Sequence, residues 1–152
     1  MKIIIVNQSK KAKLPIAAQD LQILIEKIKQ HFLLKKIRNR AMLRLKKELT
    51  IVFLSVNEMR KINKQFRKKD KPTDILSFVD QDPRSLGELL LCLDVLKKQS
   101  TRQKHTLKKE IAYMLIHGIL HLLGYDHETS LKEEKLMFKL QDTCFAGLTG
   151  IL

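Results

Sequence analysis

The chain has 152 residues, with 30 Lys or Arg against 16 Asp or Glu, which gives a formal net charge of +14. With 44% hydrophobic residues and only five Gly and three Pro, the composition excludes a disordered, collagen-like or repeat-array protein and fits one domain over residues 1–152. No apolar run approaches the ~18 residues that a membrane-spanning helix needs, and residues 1–6 are too few for the apolar core of a signal peptide. We therefore expect a cytoplasmic protein without a membrane partner.

In the N-terminal half, hydrophobic spacing predicts two strands and two helices. Residues 2–7 form a β-branched run that predicts a strand, and apolar residues at helical spacing predict a helix over about 16–37. A second strand is expected at 50–55. Ser55 and Glu58 have the spacing of a capping box, so a helix begins after Ser55. Its apolar stripe consists of Met59, Ile62 and Phe66.

In the C-terminal half, two further strands are predicted at residues 73–79 and 86–94. A helix is expected over about 103–123, followed by Gly124, a residue typical of helix C-terminal ends. A last helix covers about 130–143, with three inward side chains, Leu136, Leu140 and Cys144. Strands and helices are thus mixed around one sheet. We expect a single domain in which a small mixed four-stranded sheet packs with about four to five helices.

The positive charge is concentrated in one third of the chain. Residues 27–71 contain 16 Lys or Arg and three acidic residues. Such a field attracts polyanions and favours a nucleic-acid partner, while the alternative is a Lys-rich surface that only keeps the protein in solution. Because aromatic residues make up only 5% of the chain and Trp is absent, the sequence offers few rings on which nucleobases could stack. We expect contacts mainly to phosphates.

Three of the five histidines lie within eleven residues and predict a metal site. His117 and His121 are four residues apart, so their imidazoles lie on one face of a helix. Gly124 can adopt a left-handed conformation that ends the helix and returns His127 to the same point. Three nitrogen ligands with a fourth position open are typical of catalytic Zn²⁺, although imidazole also binds Ni²⁺ and other divalent ions. The alternative reading, two core histidines and one surface histidine, would bury polar rings without partners.

The spacing of these histidines is also that of zinc proteases, which carry Glu directly after the first His as the general base. Gly118 occupies that position here, so proteolysis is disfavoured. A zinc hydrolase that acts on another substrate remains an alternative. Glu110 and Asp126 are candidates to orient a ligand imidazole through its second nitrogen, with surface or capping roles as the alternative.

A second polar segment joins the helix that contains Phe66 to the strand at 73–79. Positive charge gathers at the end of this helix, where cations are favoured, from Arg67, Lys68, Lys69 and Lys71. The strand start adds two hydroxyls and a carboxylate, from Thr73, Asp74 and Ser77. The alternative for Asp74 is turn chemistry, and for Ser77 an ordinary strand hydroxyl.

Together the two segments resemble the YbeY family of bacterial rRNA maturation endoribonucleases. The resemblance is carried by residues 63–78, especially Arg67 and the run Thr-Asp-Ile-Leu-Ser-Phe, and by residues 117–127 with their Gly-Tyr-Asp-His ending. Gly87 corresponds to a strand glycine of the family, although Asp-Ile usually follows it there. Val79 stands where Pro is common.

The resemblance implies an α+β fold and a single-strand-specific, metal-dependent endoribonuclease that acts in 16S rRNA 3′-end maturation and ribosome quality control. By position, the zinc ligands would be His117, His121 and His127, and Arg67 would be the basic residue beside the metal. Such a metal polarises a phosphate or activates water, so the predicted catalytic residues are His117 and Arg67.

The expected phosphate contacts are Arg67, Lys64, Lys68, Lys69 and Ser77. The expected partners are single-stranded rRNA and the ribosome or its proteins. A non-enzymatic RNA- or ribosome-assembly factor with a structural metal is the alternative.

Overall fold

Four strands form one mixed sheet in the computed structural model, which describes residues 1–148 and Gly150. They are β1 (Lys2–Gln8), β2 (Glu48–Leu54), β3 (Ile75–Phe78) and β4 (Ser85–Cys92). Their spatial order is β1-β2-β4-β3, with β2 parallel to β1 and β4, and β3 antiparallel to β4. The predicted mixed four-stranded sheet is confirmed. The expected domain of residues 1–152 also includes Thr149, Ile151 and Leu152, which lie outside the described residues.

The described part of the chain contains six helices. They are α1 (Ala18–Leu33), α2 (Met42–Leu45), α3 (Val56–Arg67), α4 (Leu93–Arg102), α5 (Leu107–Leu122) and α6 (Leu131–Ala146). Ser55 caps α3 with the predicted capping box. None of the helices in residues 1–148 has the length and apolar character needed to cross a bilayer.

The prediction missed α4. The strand expected over 86–94 ends at Cys92, and α4 begins at the next residue. Leu89 to Leu93 form one apolar run, and Cys92 makes no side-chain cap, so neither hydrophobicity nor capping marks the boundary. The following helix begins at Leu107 instead of near residue 103, because Thr106 is its N-cap and accepts a hydrogen bond from the Lys109 N–H.

Alternating side chains divide the core between the two faces of the sheet. On one face, Ile51 of β2 and Leu89 of β4 pack in the cluster that contains the buried sides of α1 and α5. On the other face, Leu54 and Leu90 pack with Met59 of α3. Helices α3 and α5 therefore lie on opposite faces, and the ends of both helices lie beside the edge strand β3.

Two of the predicted inward residues are exposed. Leu136 of α6 is 38% exposed, and its neighbour Met137 is buried in its place, because α6 turns that side towards the core. Phe66, in the last turn of α3, is also exposed, whereas Met59 of the same predicted apolar stripe is fully buried. Cys144 is buried as expected, and Leu140 is partly buried.

Candidate metal site and its cleft

Helix α5 lies very close to the sheet at Gly118. A Cβ atom on Gly118 would lie 2.7 Å from Leu89 Cδ2 and 2.8 Å from Ile75 Cδ1, closer than carbon atoms approach. Because Gly118 has no side chain, the helix can pack closely against β3 and β4. His117 and His121 are thereby brought to the cleft beside β3.

The chain reverses directly after α5. Gly124 has φ +89°, and the N–H groups of Gly124 and Tyr125 donate to the carbonyls of His121 and Leu120 at 2.9 and 3.0 Å. This is the left-handed helix ending that the sequence predicts. The turn brings His127 back over the last turn of the helix.

The three histidine rings converge. His121 Nε2 lies 3.1 Å from His117 Nε2 and 3.2 Å from His127 Nδ1. One ligand atom from each ring lies within 4.8 Å of the others, so the group can hold a metal ion. The predicted three-histidine cluster at the end of one helix is confirmed.

The protonation of the rings suits a metal ligand. Burial lowers the pKa of His117 below its ordinary 6.5. Burial, with the neighbouring rings His117 and His127 as smaller causes, lowers the pKa of His121 to about 4. Both rings are therefore neutral at neutral pH and offer a lone pair, the form that coordinates a metal. The donor set of this chain fits a divalent ion such as Zn²⁺ or Ni²⁺.

Gln141 of α6 fixes the orientation of His117. Its side chain is fully buried, and its amide Nε2 donates to the Tyr113 carbonyl at 3.3 Å. That bond turns the amide oxygen towards His117 Nδ1, 3.0 Å away. An amide oxygen only accepts, so Nδ1 carries the proton and Nε2 keeps its lone pair for the centre of the cluster.

The expectation that Glu110 orients a ligand imidazole is wrong. Glu110 lies in the first turn of α5, about 10 Å along the helix axis from His117. It is 4% exposed, and its carboxylate pairs with the His105 ring. Asp126 lies in the turn after α5, where its carboxylate accepts a hydrogen bond from the Glu128 N–H at 2.9 Å.

The loop between α1 and α2 holds the turn that carries His127. The Arg38 guanidinium donates to the Gly124 carbonyl at 3.0 Å and to the Glu133 carboxylate at 2.9 Å. The Asn39 side chain donates to the Leu123 carbonyl at 3.0 Å. Sequence reasoning missed both contacts, because the partners lie more than 80 residues apart and no local spacing links them.

A cleft of about 920 Å³ opens beside the histidines, along the edge strand β3. The basic side chains that line it, among the described residues, are Arg67, Lys69 and Lys71. Ser77 also lines it. Lys64 and Lys68 do not, since Lys64 Nζ lies 3.4 Å from Asp70 Oδ2 and Lys68 Nζ donates to the Gln65 carbonyl.

The turn from α3 to β3 is shaped to present these cations. Asn63 is buried, and its side chain donates to the Lys71 carbonyl at 2.7 Å. Lys68 takes a left-handed conformation at the helix end, with φ 58°. Asp70 accepts from Arg60 Nε at 2.8 Å. The turn is thus tied back to α3 at two points.

Arg67 is linked to the histidine cluster through one carboxylate. Its Nη2 donates to Glu128 Oε1 at 2.8 Å, and the same oxygen lies 4.0 Å from His127 Nε2. The Arg67 guanidinium lowers the pKa of Glu128, which is therefore ionised at neutral pH. A guanidinium that holds a carboxylate in this place can hold a phosphate in the same way.

Residues 4–149 match the protein family described as Endoribonuclease YbeY. The Endoribonuclease YbeY of Bdellovibrio bacteriovorus is 47% identical over 149 residues, which cover 97% of this chain and 95% of that protein. The protein of the same name from Persephonella marina is 41% identical over 130 residues, 82% of this chain and 78% of its own length. The solution structure of a Thermotoga maritima protein is similar in fold, with a TM-score of 0.63 at 29% identity, over 98% of this chain and 90% of that one.

Proposed function

Because the chain belongs to the Endoribonuclease YbeY family, we propose that it cleaves single-stranded RNA with one Zn²⁺ held by His117, His121 and His127. The proposal rests on one observation: the three ring nitrogens converge at a cleft lined by Arg67, Lys69 and Lys71. Metal ligands and phosphate-binding cations thus face the same space. This combination suits metal-assisted phosphodiester cleavage.

The substrate in our proposal is rRNA, and the reaction is 3′-end maturation of 16S rRNA together with ribosome quality control in the cytoplasm. The family membership and the excess of basic residues support this assignment. Ribosomal RNA and ribosomal proteins are the proposed partners.

A bound divalent ion supplies Lewis acidity, which polarises a phosphoryl oxygen or a water molecule. Gln141 holds His117 with Nε2 free of a proton and so orients that ligand. In our proposal Arg67 leaves Glu128 and binds the scissile phosphate, where its planar fork stabilises the negative charge that develops on the oxygens. Lys69 and Lys71 bind neighbouring phosphates.

The position of Gly118 disfavours a peptidase with the same histidine spacing. Such an enzyme needs a glutamate side chain at the position of Gly118. Here even a Cβ atom would overlap Leu89 and Ile75, which are buried. A glutamate at this position would require the Leu89 and Ile75 side chains to move aside.

The proposed function is tested with purified protein and a labelled single-stranded RNA, with and without a chelator. We expect cleavage in the untreated sample, loss after chelation, and recovery on adding Zn²⁺. Arg67→Gln should reduce cleavage by ~10²-fold or more, the usual effect of losing one group that stabilises transition-state charge. Arg84→Gln is the matched control, because Arg84 is exposed and pairs with Asp82 outside the cleft.

Two outcomes would contradict the proposal. Equal cleavage with and without chelator would remove the metal from the reaction. Stoichiometric metal without turnover on any RNA would favour the assembly factor with a structural metal. If Arg67→Gln has the metal content and the thermal unfolding of the wild type, its loss of cleavage is not caused by loss of folding.

A further inference from the structure

One aromatic ring at the rim of the cleft is largely open to solvent. Phe66 of α3 is 58% exposed, and it is the aromatic member of the large exposed hydrophobic side chains in the described part of the chain. Phe32 and Phe53, in contrast, are fully buried. An exposed phenyl ring beside a functional cleft has apolar surface available for a ligand.

This ring is held in place by a second aromatic ring. The Phe66 and Phe78 centroids lie 5.0 Å apart, with the ring planes at 66°. Phe78 belongs to β3, which pairs with β4, so it is anchored in the sheet. Phe66 therefore loses little conformational freedom when a ligand packs on it.

The surroundings of Phe66 select the chemistry of that ligand. Phe66 lines the same cleft as Arg67, Lys69 and Lys71. An aromatic ring next to a row of cations is how proteins bind single-stranded nucleic acid, with the cations on the phosphates and the ring on a base. A purely apolar protein segment would not match these charges.

We propose that Phe66, supported by Phe78, is a nucleobase-stacking subsite for the single-stranded RNA bound in the cleft. The proposal rests on the proposed function and adds a base contact to the phosphate contacts. It also gives a physical reason for single-strand specificity, because a base in a duplex is already stacked and paired and cannot reach the ring without being flipped out.

The test measures binding by fluorescence anisotropy to two labelled oligomers of equal length and charge, oligoadenylate and an abasic ribose-phosphate chain. It uses metal-loaded protein in the cold, and a gel checks that the oligomers stay intact. We expect the wild type to bind oligoadenylate roughly 10-fold more tightly than the abasic chain, the effect of one stacked base. Phe66→Leu should lose this difference and keep its affinity for the abasic chain. Phe66→Tyr should retain it.

Leu45→Ala is the control for loss of exposed apolar surface, since Leu45 is 70% exposed and lies outside the cleft. It should bind both oligomers as the wild type does. Thermal unfolding and metal content show whether Phe66→Leu is folded.

Several outcomes overturn the stacking subsite. One is that Phe66→Leu prefers oligoadenylate to the abasic chain as strongly as the wild type does. The same result is expected if Phe66 contacts a protein partner instead of RNA. Another is equal weakening for both oligomers, which indicates a structural role. If the wild type binds both oligomers equally well, the protein binds the RNA backbone and the stacking subsite is wrong. If it binds neither, the proposed function fails as well.

Discussion

Gln141 is the residue that ties the histidine cluster to the last helix. It is fully buried on α6, and its amide bridges the Tyr113 carbonyl and the His117 ring. Partners of this kind around ligating histidines fix the tautomer and the ring orientation. We therefore assign Gln141 to the positioning of His117.

Gln141→Leu removes the bridge while keeping a side chain of similar size. We expect metal affinity to fall by about 10–100-fold, because His117 then populates both tautomers. Competition with a chromogenic chelator measures the affinity, and nitrogen NMR of the metal-free protein reports the His117 tautomer. Gln22→Leu is the matched control, since Gln22 bridges the Ile3 N–H and the Met1 carbonyl outside the cleft. Unchanged affinity in Gln141→Leu would remove this role.

The neutral histidines make the stability of the metal-free protein depend on pH. Both His117 and His121 have a lower pKa in the folded chain than the ordinary 6.5, and that of His121 is about 4. Below pH 6.5 the unfolded chain therefore binds more protons than the folded chain, and the free energy of unfolding falls. The contribution of the two neutral rings to the free energy of unfolding is fully present above pH 6.5 and is lost as the pH falls towards 4.

Urea unfolding of chelator-treated protein between pH 7 and pH 4.5 tests this expectation. The free energy of unfolding of the wild type should fall with pH. His121→Gln should show a shallower fall, because one of the responsible groups is gone. Identical slopes for the two proteins would show that His121 is not held neutral.

At the scale of residues, the sequence predicts the groups that lie close together along the chain. His117, His121 and His127 are found from helical spacing and one glycine, because the helix itself sets their geometry. Gln141 and Arg38 are not found, since their positions depend on how α6 and the α1–α2 loop pack against α5. Glu110, one of two candidates to orient a ligand imidazole, pairs with His105 instead, and helical spacing does not reveal that partner.

At the scale of elements, the site depends on how closely α5 approaches the sheet. Gly118→Ala would place a Cβ against Leu89 and Ile75, both buried. Overpacking costs about 1–3 kcal/mol, and the higher helix propensity of Ala offsets about 0.5–1 kcal/mol, so we expect a net decrease of up to about 2 kcal/mol in the free energy of unfolding. Chemical denaturation measures it.

Gly147→Ala is the control, because its Cβ would have no neighbour nearer than 3.4 Å. It should leave stability nearly unchanged. A Gly118→Ala protein as stable as Gly147→Ala would show that α5 has more room than the distances indicate.

The elements that the sequence misplaced are those whose boundaries depend on packing. Helix α4 was missed because an apolar run continues from β4 into its first residue. Phe66 and Leu136 follow helical spacing but remain exposed, because tertiary packing covers them only in part. Periodicity therefore finds the helices and strands with strong alternation, and tertiary packing decides which side of each is buried.

At the scale of the whole molecule, the charge excess of residues 27–71 divides into two groups. Arg67, Lys69 and Lys71 line the cleft, while Lys64 and Arg60 pair with Asp70. Positive charge outside the cleft raises the rate of encounter with a polyanion. Only the cations that touch phosphates release bound counterions and make affinity depend on salt.

Salt dependence separates cations that contact phosphates from cations outside the cleft, of which Arg84 is one. For single-stranded RNA, each phosphate contact contributes about 0.7 to the slope of log affinity against log salt concentration. Arg67→Gln should therefore reduce the slope by about 0.7, and Arg84→Gln should leave it unchanged. Equal slopes for Arg67→Gln and the wild type would place Arg67 away from the phosphates.

In our proposal, RNA cleavage requires one metal ion held by the three imidazoles. The most direct test adds Zn²⁺ in steps to chelator-stripped protein and measures the initial rate of cleavage of a single-stranded RNA. We expect a linear rise that stops at one equivalent of metal, and no rise for His121→Ala. Full cleavage before any metal is added, or the same titration curve for His121→Ala, would contradict this proposal.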